Sequence, residues 1–78
     1  MNILVFAVLK EYFPSTLQIN NDLIKNCTQL KNHLISLNNN AEPVLNSCRF
    51  AVNNKFITEE FILEDSDTIA IIPPSSGG

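Results

Sequence analysis

The side chains able to perform chemistry in this 78-residue chain are few and lie far apart in sequence. Its two cysteines, Cys27 and Cys48, are not in a Cys-x-x-Cys arrangement, and its one histidine, His33, belongs to no cluster of possible metal ligands. A metal site needs several such groups at close spacing, and covalent catalysis needs a nucleophile beside a base. The sequence therefore predicts no metal site and no catalytic side chain. It favours two reduced thiols in a cytoplasmic protein, with a single disulfide as the alternative.

The placement of glycine is the main compositional signal. Average usage would give about five glycines in a chain of this length, yet there are only two, Gly77 and Gly78, and they are the last two residues. Asparagine occupies the predicted breaks at 20–21, 38–40 and 53–54, because its short side chain tolerates left-handed backbone angles. Glycine is therefore reserved for the terminus, with a frayed end and accidental glycines as the alternative.

Composition predicts one small folded domain. Hydrophobic residues make up 45% of the chain and charged residues 17%, and a core this small disfavours a deep catalytic pocket. The net charge of -3 argues against nucleic-acid binding. No basic residue follows Lys55, whereas five acidic residues do, so we expect a basic protein partner. The apolar run 3–9 is too short to span a membrane and lacks the features of a signal peptide.

Hydrophobic periodicity predicts two strands, one helix and three further strands. The expected elements are strands at 2–9 and 15–20, a helix at 26–38, and strands at 49–53, 55–57 and 68–72. The segment 42–48 is expected to be a connection. This order predicts an α+β fold, with a mixed sheet of four to five strands and one helix packed on one face. The first and last strands are the most hydrophobic, so we expect them to lie parallel at the centre of the sheet.

The helix has a recognisable start and one apolar stripe. Asn26 followed by Gln29 resembles a capping box, with Asp22 as the rival N-cap. Spacings of four, three, four and three predict the face that packs on the sheet. The residues of this stripe are Leu23, Cys27, Leu30, Leu34 and Leu37.

The first strand is apolar on both sides, which a sheet covered on one face does not require. We therefore expect an apolar patch on the face away from the helix, of the kind that binds a protein. The residues expected on this face are Leu4, Phe6, Val8, Phe56 and Ile72. The alternative is that the segment 39–48 covers the central strands.

Three segments carry a resemblance to a known family. They are the opening Val5-Phe6-Ala7-Val8-Leu9-Lys10-Glu11, the segment Ala51-Val52-Asn53-Asn54-Lys55 and the ending Pro73-Pro74-Ser75-Ser76-Gly77-Gly78. Together these segments resemble the small subunit of molybdopterin synthase. One departure is Lys10, where the family usually has arginine, so the charge remains but bidentate pairing does not. The resemblance implies a ubiquitin-like β-grasp domain over residues 1–72 and a flexible tail over residues 73–78.

The resemblance also implies the chemistry of Gly78. An E1-like activating enzyme adenylates its carboxylate with ATP, and a sulfur donor converts it to a thiocarboxylate, a covalent 1-thioglycine. The sulfur then passes to cyclic pyranopterin monophosphate in the large subunit and forms the dithiolene of molybdopterin. The implied assembly has two large and two small subunits, and this chain itself binds no cofactor.

The remaining implied site residues fall into two groups. The tail that threads into the partner comprises Pro73, Pro74, Ser75, Ser76 and Gly77. The interface with the large subunit comprises Phe6, Lys10, Phe56 and Ile72. The two prolines favour an extended tail that reaches about 18–20 Å from the domain, and glycine lets a narrow channel approach the final carbonyl.

Other functions remain open at this point. The same end could serve thiazole synthesis or transfer-RNA thiolation. It could also attach the chain to other proteins as a ubiquitin-like modifier. A β-grasp interaction module without tail chemistry is the alternative of a different class.

Overall fold

A computed structural model describes residues 1–74; Ser75, Ser76, Gly77 and Gly78 lie outside the described residues. Five strands form one mixed sheet in the order β2-β1-β5-β3-β4. The strands are β1 (Asn2–Val5), β2 (Thr16–Gln18), β3 (Arg49–Val52), β4 (Lys55–Phe56) and β5 (Thr68–Ile72). Two α-helices, α1 (Cys27–Leu37) and α2 (Glu42–Asn46), and 3₁₀ helices at Ala7–Glu11 and Asn39–Ala41 complete the fold. The predicted α+β class is confirmed.

The last strand lies at the centre of the sheet, as predicted. β5 pairs in parallel with β1, so that Ile3 lies opposite Ile69 and Val5 opposite Ile71. These four side chains are at most 2% exposed, because β-branched residues on one face of two neighbouring strands pack closely against the helix layer. The core therefore begins at the two most hydrophobic segments of the chain.

Helix α1 begins where the sequence predicts. The side chain of Asn26 accepts a hydrogen bond from the backbone N–H of Gln29, at 2.9 Å, and Gln29 Oε1 accepts one from the backbone N–H of Lys25, at 2.6 Å. The middle of the predicted stripe, Leu30 and Leu34, is fully buried. Two stripe residues were predicted wrongly: Leu23 is 80% exposed and Leu37 is 55% exposed. Both flank or end the helix, where the helical period no longer aims a side chain at the sheet.

The first strand is shorter than predicted. It ends at Val5, and the chain turns at Ala7, whose φ of 53° lies in the left-handed region. A 3₁₀ helix then runs to Glu11 and buries Leu9 completely. Leu9 thus joins the core from a helical turn, and the alternating pattern that was predicted to continue to residue 9 is wrong.

The segment expected to be a connection is largely helical. The Asn38 side chain caps the 3₁₀ helix by accepting from the backbone N–H of Asn40, at 3.1 Å, and Pro43 lies in the first turn of α2. Ala41 and Leu45 are fully buried in the same core as the helix-facing residues of the sheet. This segment therefore packs on the helix side, and it does not cover the other face of the sheet.

The asparagine turn between β3 and β4 is present as predicted. Asn53 and Asn54 have φ values of 53° and 65°, the left-handed pair that a two-residue hairpin requires. A second turn, directly before β5, is closed by Asp67. Asp67 Oδ2 accepts from the backbone N–H of Glu64 at 2.8 Å, and the Asp67 N–H donates back to the Glu64 carbonyl at 3.0 Å.

Candidate functional site

The face of the sheet away from the helices carries a groove of about 530 Å³. The sequence-predicted residues Leu4, Phe6, Phe56 and Ile72 all line it. Phe6 is 42% exposed and Phe56 is 53% exposed, although large aromatic side chains are normally buried in so small a domain. The structure therefore brings four residues from three separate segments onto one open apolar surface, which we call the sheet groove.

One row of residues across the sheet explains the shape of the groove. Leu4 of β1 pairs with Ala70 of β5, Ala70 pairs with Ala51 of β3, and Ala51 pairs with Phe56 of β4. The two central residues are small and the two outer ones are large. The row thus forms a low floor between two raised sides, since paired residues on neighbouring strands point to the same face.

Sequence reasoning missed the floor of this groove. Ala51, Ala70 and Thr68 line it together with the turn residues Asn53 and Asn54. The alternation in β3 and β5 contains the signal, because the outward positions follow once the buried neighbours are assigned. Small side chains at outward positions of central strands then indicate a depression.

Two residues expected on this face do not line the groove. Val8, expected on the same face, is 40% exposed in the 3₁₀ helix and does not line the groove. Lys10, assigned to the interface by resemblance, is exposed in the last turn of that 3₁₀ helix and does not line the groove either. The turn at Ala7 causes both differences, because it takes the chain out of the sheet.

An unpredicted cation borders the groove. Arg49 lies opposite Ile72 in the β3–β5 ladder, and its guanidinium carbon lies 3.7 Å from the ring centroid of Phe56. Arginine stacks well on aromatic faces because its charge is delocalised over a flat group. Its outward position follows from the buried Phe50 that succeeds it in the strand.

The predicted tail starts beside this groove. β5 ends at Ile72, which lines the groove, and the next residues are the half-buried Pro73 and the exposed Pro74. Proline cannot donate to the sheet ladder, so the strand ends here. The other predicted tail residues, 75–78, are those that the structure does not describe.

The two thiols are poorly suited to nucleophilic chemistry. Both cysteines are free and line one shallow cavity of about 240 Å³ on the helix side. Burial raises the pKa of Cys48 to about 11, and burial is also the main cause of the raised pKa of Cys27. The Cys48 thiol donates to the Val44 carbonyl at 3.1 Å. Since the thiolate is the reactive form, these residues are largely unreactive at neutral pH.

Within residues 1–74, no group of three or more His, Cys, Asp or Glu side chains could hold a metal ion. His33 is half-buried on α1. Within the same range, no helix is long and apolar enough to cross a membrane.

Comparisons with known proteins agree on the fold. The model of the ThiS family matches residues 3–78. SAMP1 from Haloferax volcanii is similar in structure, with a TM-score of 0.80 and 20% identity over 99% of this chain and 97% of that one. A chain in the complex of subunits 1 and 2 of molybdopterin-converting factor from Helicobacter pylori 26695 has a TM-score of 0.69 and 22% identity over 99% of this chain and 96% of that one. No curated protein matches the sequence. The predicted ubiquitin-like β-grasp fold is confirmed.

Proposed function

The chain belongs to the ThiS family of ubiquitin-fold sulfur carriers, and we propose that it is the sulfur carrier subunit of a molybdopterin synthase. In this proposal the Gly78 carboxylate is adenylated, converted to a thiocarboxylate and used to deliver sulfur to cyclic pyranopterin monophosphate. The partners are an E1-like adenylating enzyme, a sulfur donor and a large subunit, with two copies of each subunit in the synthase.

One observation carries the proposal: the sheet groove opens where the tail leaves the domain. Ile72 lines the groove and is directly followed by Pro73. A partner that binds the exposed Phe6 and Phe56 would therefore hold the start of the tail beside its own surface. Docking of this kind places a reactive end in a partner's site without any catalytic group on the carrier.

The chemistry balances without a base from this chain. The carboxylate attacks the α-phosphate of ATP and releases pyrophosphate, giving a mixed anhydride with AMP. Sulfide-level sulfur from the donor displaces AMP and leaves a thiocarboxylate. After its sulfur has bonded to the acceptor, water cleaves the acyl C–S bond and restores the Gly78 carboxylate. This group is more acidic than a thiol, so it is ionised near neutral pH and attacks as it stands. The raised thiol pKa values of Cys27 and Cys48 accord with a carrier that does not use its own cysteines.

The neighbour from Helicobacter pylori supports a large-subunit partner, since it was solved as a complex of two subunits of molybdopterin-converting factor. The resemblance of the Pro-Pro-x-x-Gly-Gly ending to the small subunit of molybdopterin synthase supports the same pathway. The ThiS family match favours a second candidate, a sulfur carrier for thiazole synthesis.

Two measurements test the proposal. Intact mass is recorded after incubation with the activating enzyme, ATP and a sulfur donor, and we expect the gain from exchanging one oxygen for one sulfur. A chain ending at Gly77 is the control and should remain unchanged. Dithiolene is then assayed with the large subunit and cyclic pyranopterin monophosphate. An unchanged mass contradicts the carrier role. A chain that gains the thiocarboxylate but yields no dithiolene favours the thiazole pathway.

A further inference from the structure

Arg49 lies between two residues of the sheet groove. It is opposite Ile72 in the antiparallel ladder of β3 and β5, and its guanidinium lies over the Phe56 ring on the other side. Phe50, the next residue, packs in the core, so strand alternation places Arg49 on the open face with Phe56. At this edge of the sheet Arg49 also borders the cavity lined by the two cysteines. The side chain is therefore level with the point at which the tail leaves the sheet.

Stacking on Phe56 restricts the guanidinium without using its hydrogen-bond donors. The carbon of the guanidinium is 3.7 Å from the ring centroid, and a stacked guanidinium keeps its N–H groups directed outward at its edge. Within residues 1–74, Arg49 has no side-chain hydrogen bond or salt bridge. A restricted donor group loses less entropy on binding than a free one.

The charge of the surroundings makes Arg49 distinctive. It is the only arginine in a chain with a net charge of -3, and none of the residues in the range 1–74 that line the sheet groove is charged. A flat cation with parallel N–H donors matches a carboxylate in bidentate geometry. An apolar floor that excludes water strengthens such a pair when a partner covers it.

We propose that Arg49 binds a carboxylate side chain of the large subunit, and that this ion pair holds the large subunit beside the start of the tail. The inference rests on the proposed function, because that function supplies the partner. It adds a chemical requirement for the partner: an aspartate or glutamate placed opposite the rim of the groove between Phe56 and Ile72.

The test measures the affinity of the full-length chain for the large subunit by calorimetry at low and high salt. Arg49→Gln should raise Kd by about tenfold to hundredfold, the range expected for hydrogen bonds to a charged group. Arg49→Lys keeps the charge but loses the two parallel N–H donors of the guanidinium, and should recover less than half of the lost binding free energy. The matched control is Lys55→Gln, which removes the same charge from the exposed neighbouring strand β4 and should change Kd less than twofold.

Two comparisons separate the possible failures. Phe6→Ala tests the groove itself. If this variant raises Kd while Arg49→Gln has only the small effect of Lys55→Gln on Kd, the inference about Arg49 is wrong and the proposed function stands. If neither Phe6→Ala nor Arg49→Gln affects binding, or the large subunit does not bind, both are wrong. A scan of large-subunit acidic residues, each changed to its amide, should find one whose effect disappears in the Arg49→Gln background. If the scan finds no such residue, the inference is contradicted. The far-ultraviolet circular dichroism spectrum and the thermal midpoint of each variant show whether it is folded.

Discussion

Ala51 of β3 lies directly opposite Ala70 of β5, and these two methyl groups form the floor of the sheet groove. Leu4 and Phe56 continue the same row on either side. The depth of the groove thus depends on two small residues at the centre of the sheet, where larger apolar side chains are the rule.

Filling the groove should separate binding from folding. Ala70→Leu adds a side chain on the half-exposed outer face, so the core is undisturbed and the thermal midpoint should change little. The added volume should clash with a docked large subunit and raise Kd about tenfold, in line with the energies of overpacking. Asn32→Leu, which adds a leucine at an exposed position of α1 outside the groove, is the control. Normal affinity of Ala70→Leu would show that the partner binds elsewhere.

The Asn26 cap should contribute measurably to stability. Asn26→Ala removes the acceptor of the Gln29 N–H, and the free energy of unfolding should fall by about 1 kcal/mol. Urea denaturation followed by circular dichroism measures this change. Asn20→Ala removes an exposed asparagine outside the helix and is expected to have a much smaller effect. Equal effects of the two variants would contradict the capping role.

The corrected helix stripe predicts opposite outcomes for two leucines. Leu30→Ala leaves a cavity at a fully buried site and should lower the unfolding free energy by about 2–5 kcal/mol. Leu23→Ala, at a side chain that is 80% exposed, should change it by less than about 0.5 kcal/mol. Urea unfolding of both variants decides the point. A large loss at Leu23 would show that the residue packs in the folded state.

The Cys48 thiol should react only at high pH. Its pKa of about 11 is raised from an ordinary value of 9.0, so the folded state keeps a proton that the unfolded state releases between these two values. Because the unfolded chain binds fewer protons in this range, the free energy of unfolding is highest below about pH 9 and falls as the pH rises toward 11. Iodoacetamide labelling of a Cys27→Ser variant, folded and in urea, gives the two pH profiles. Coincident profiles would rule out a raised pKa.

Loss of the terminal glycine should abolish function and spare the fold. Within residues 1–74, Ile71 is the last buried core residue, and we expect a chain ending at Gly77 to unfold at nearly the same temperature as the full chain. It should neither gain sulfur nor support dithiolene formation, because its end is displaced from the partner's reaction centre. Calorimetry and intact mass measure the two properties. A large fall in the thermal midpoint would instead assign the tail a structural role.

Local signals in the sequence were sufficient for the centre of the sheet, the helix start and the hairpin. The Asn26 cap and the Asn53-Asn54 turn depend on residue type and short-range hydrogen bonds, which a sequence displays directly. The position of β5 followed from its hydrophobicity alone. The apolar outer face followed from the excess of hydrophobic residues in the first strand.

The errors arose where tertiary packing overrides a local pattern. The run 3–9 is uniformly apolar, so nothing in it marks the left-handed turn at Ala7 that ends β1 after Val5. Helix α2 has five residues, too few for a helical period to be recognised. Arg49 was missed because stacking on Phe56 depends on the pairing of β3 with β4, which a charge count does not contain.

The central position of β5 has a consequence for biosynthesis. The strand around which the sheet is built, β5, follows the other four strands in the sequence, and one of its two neighbours, β1, precedes them all. Contacts this distant in sequence cannot form on a nascent chain that stops short of residue 72. A chain that stops before β5 therefore lacks a complete sheet groove. The surface that we propose for docking becomes available only after translation has passed Ile72.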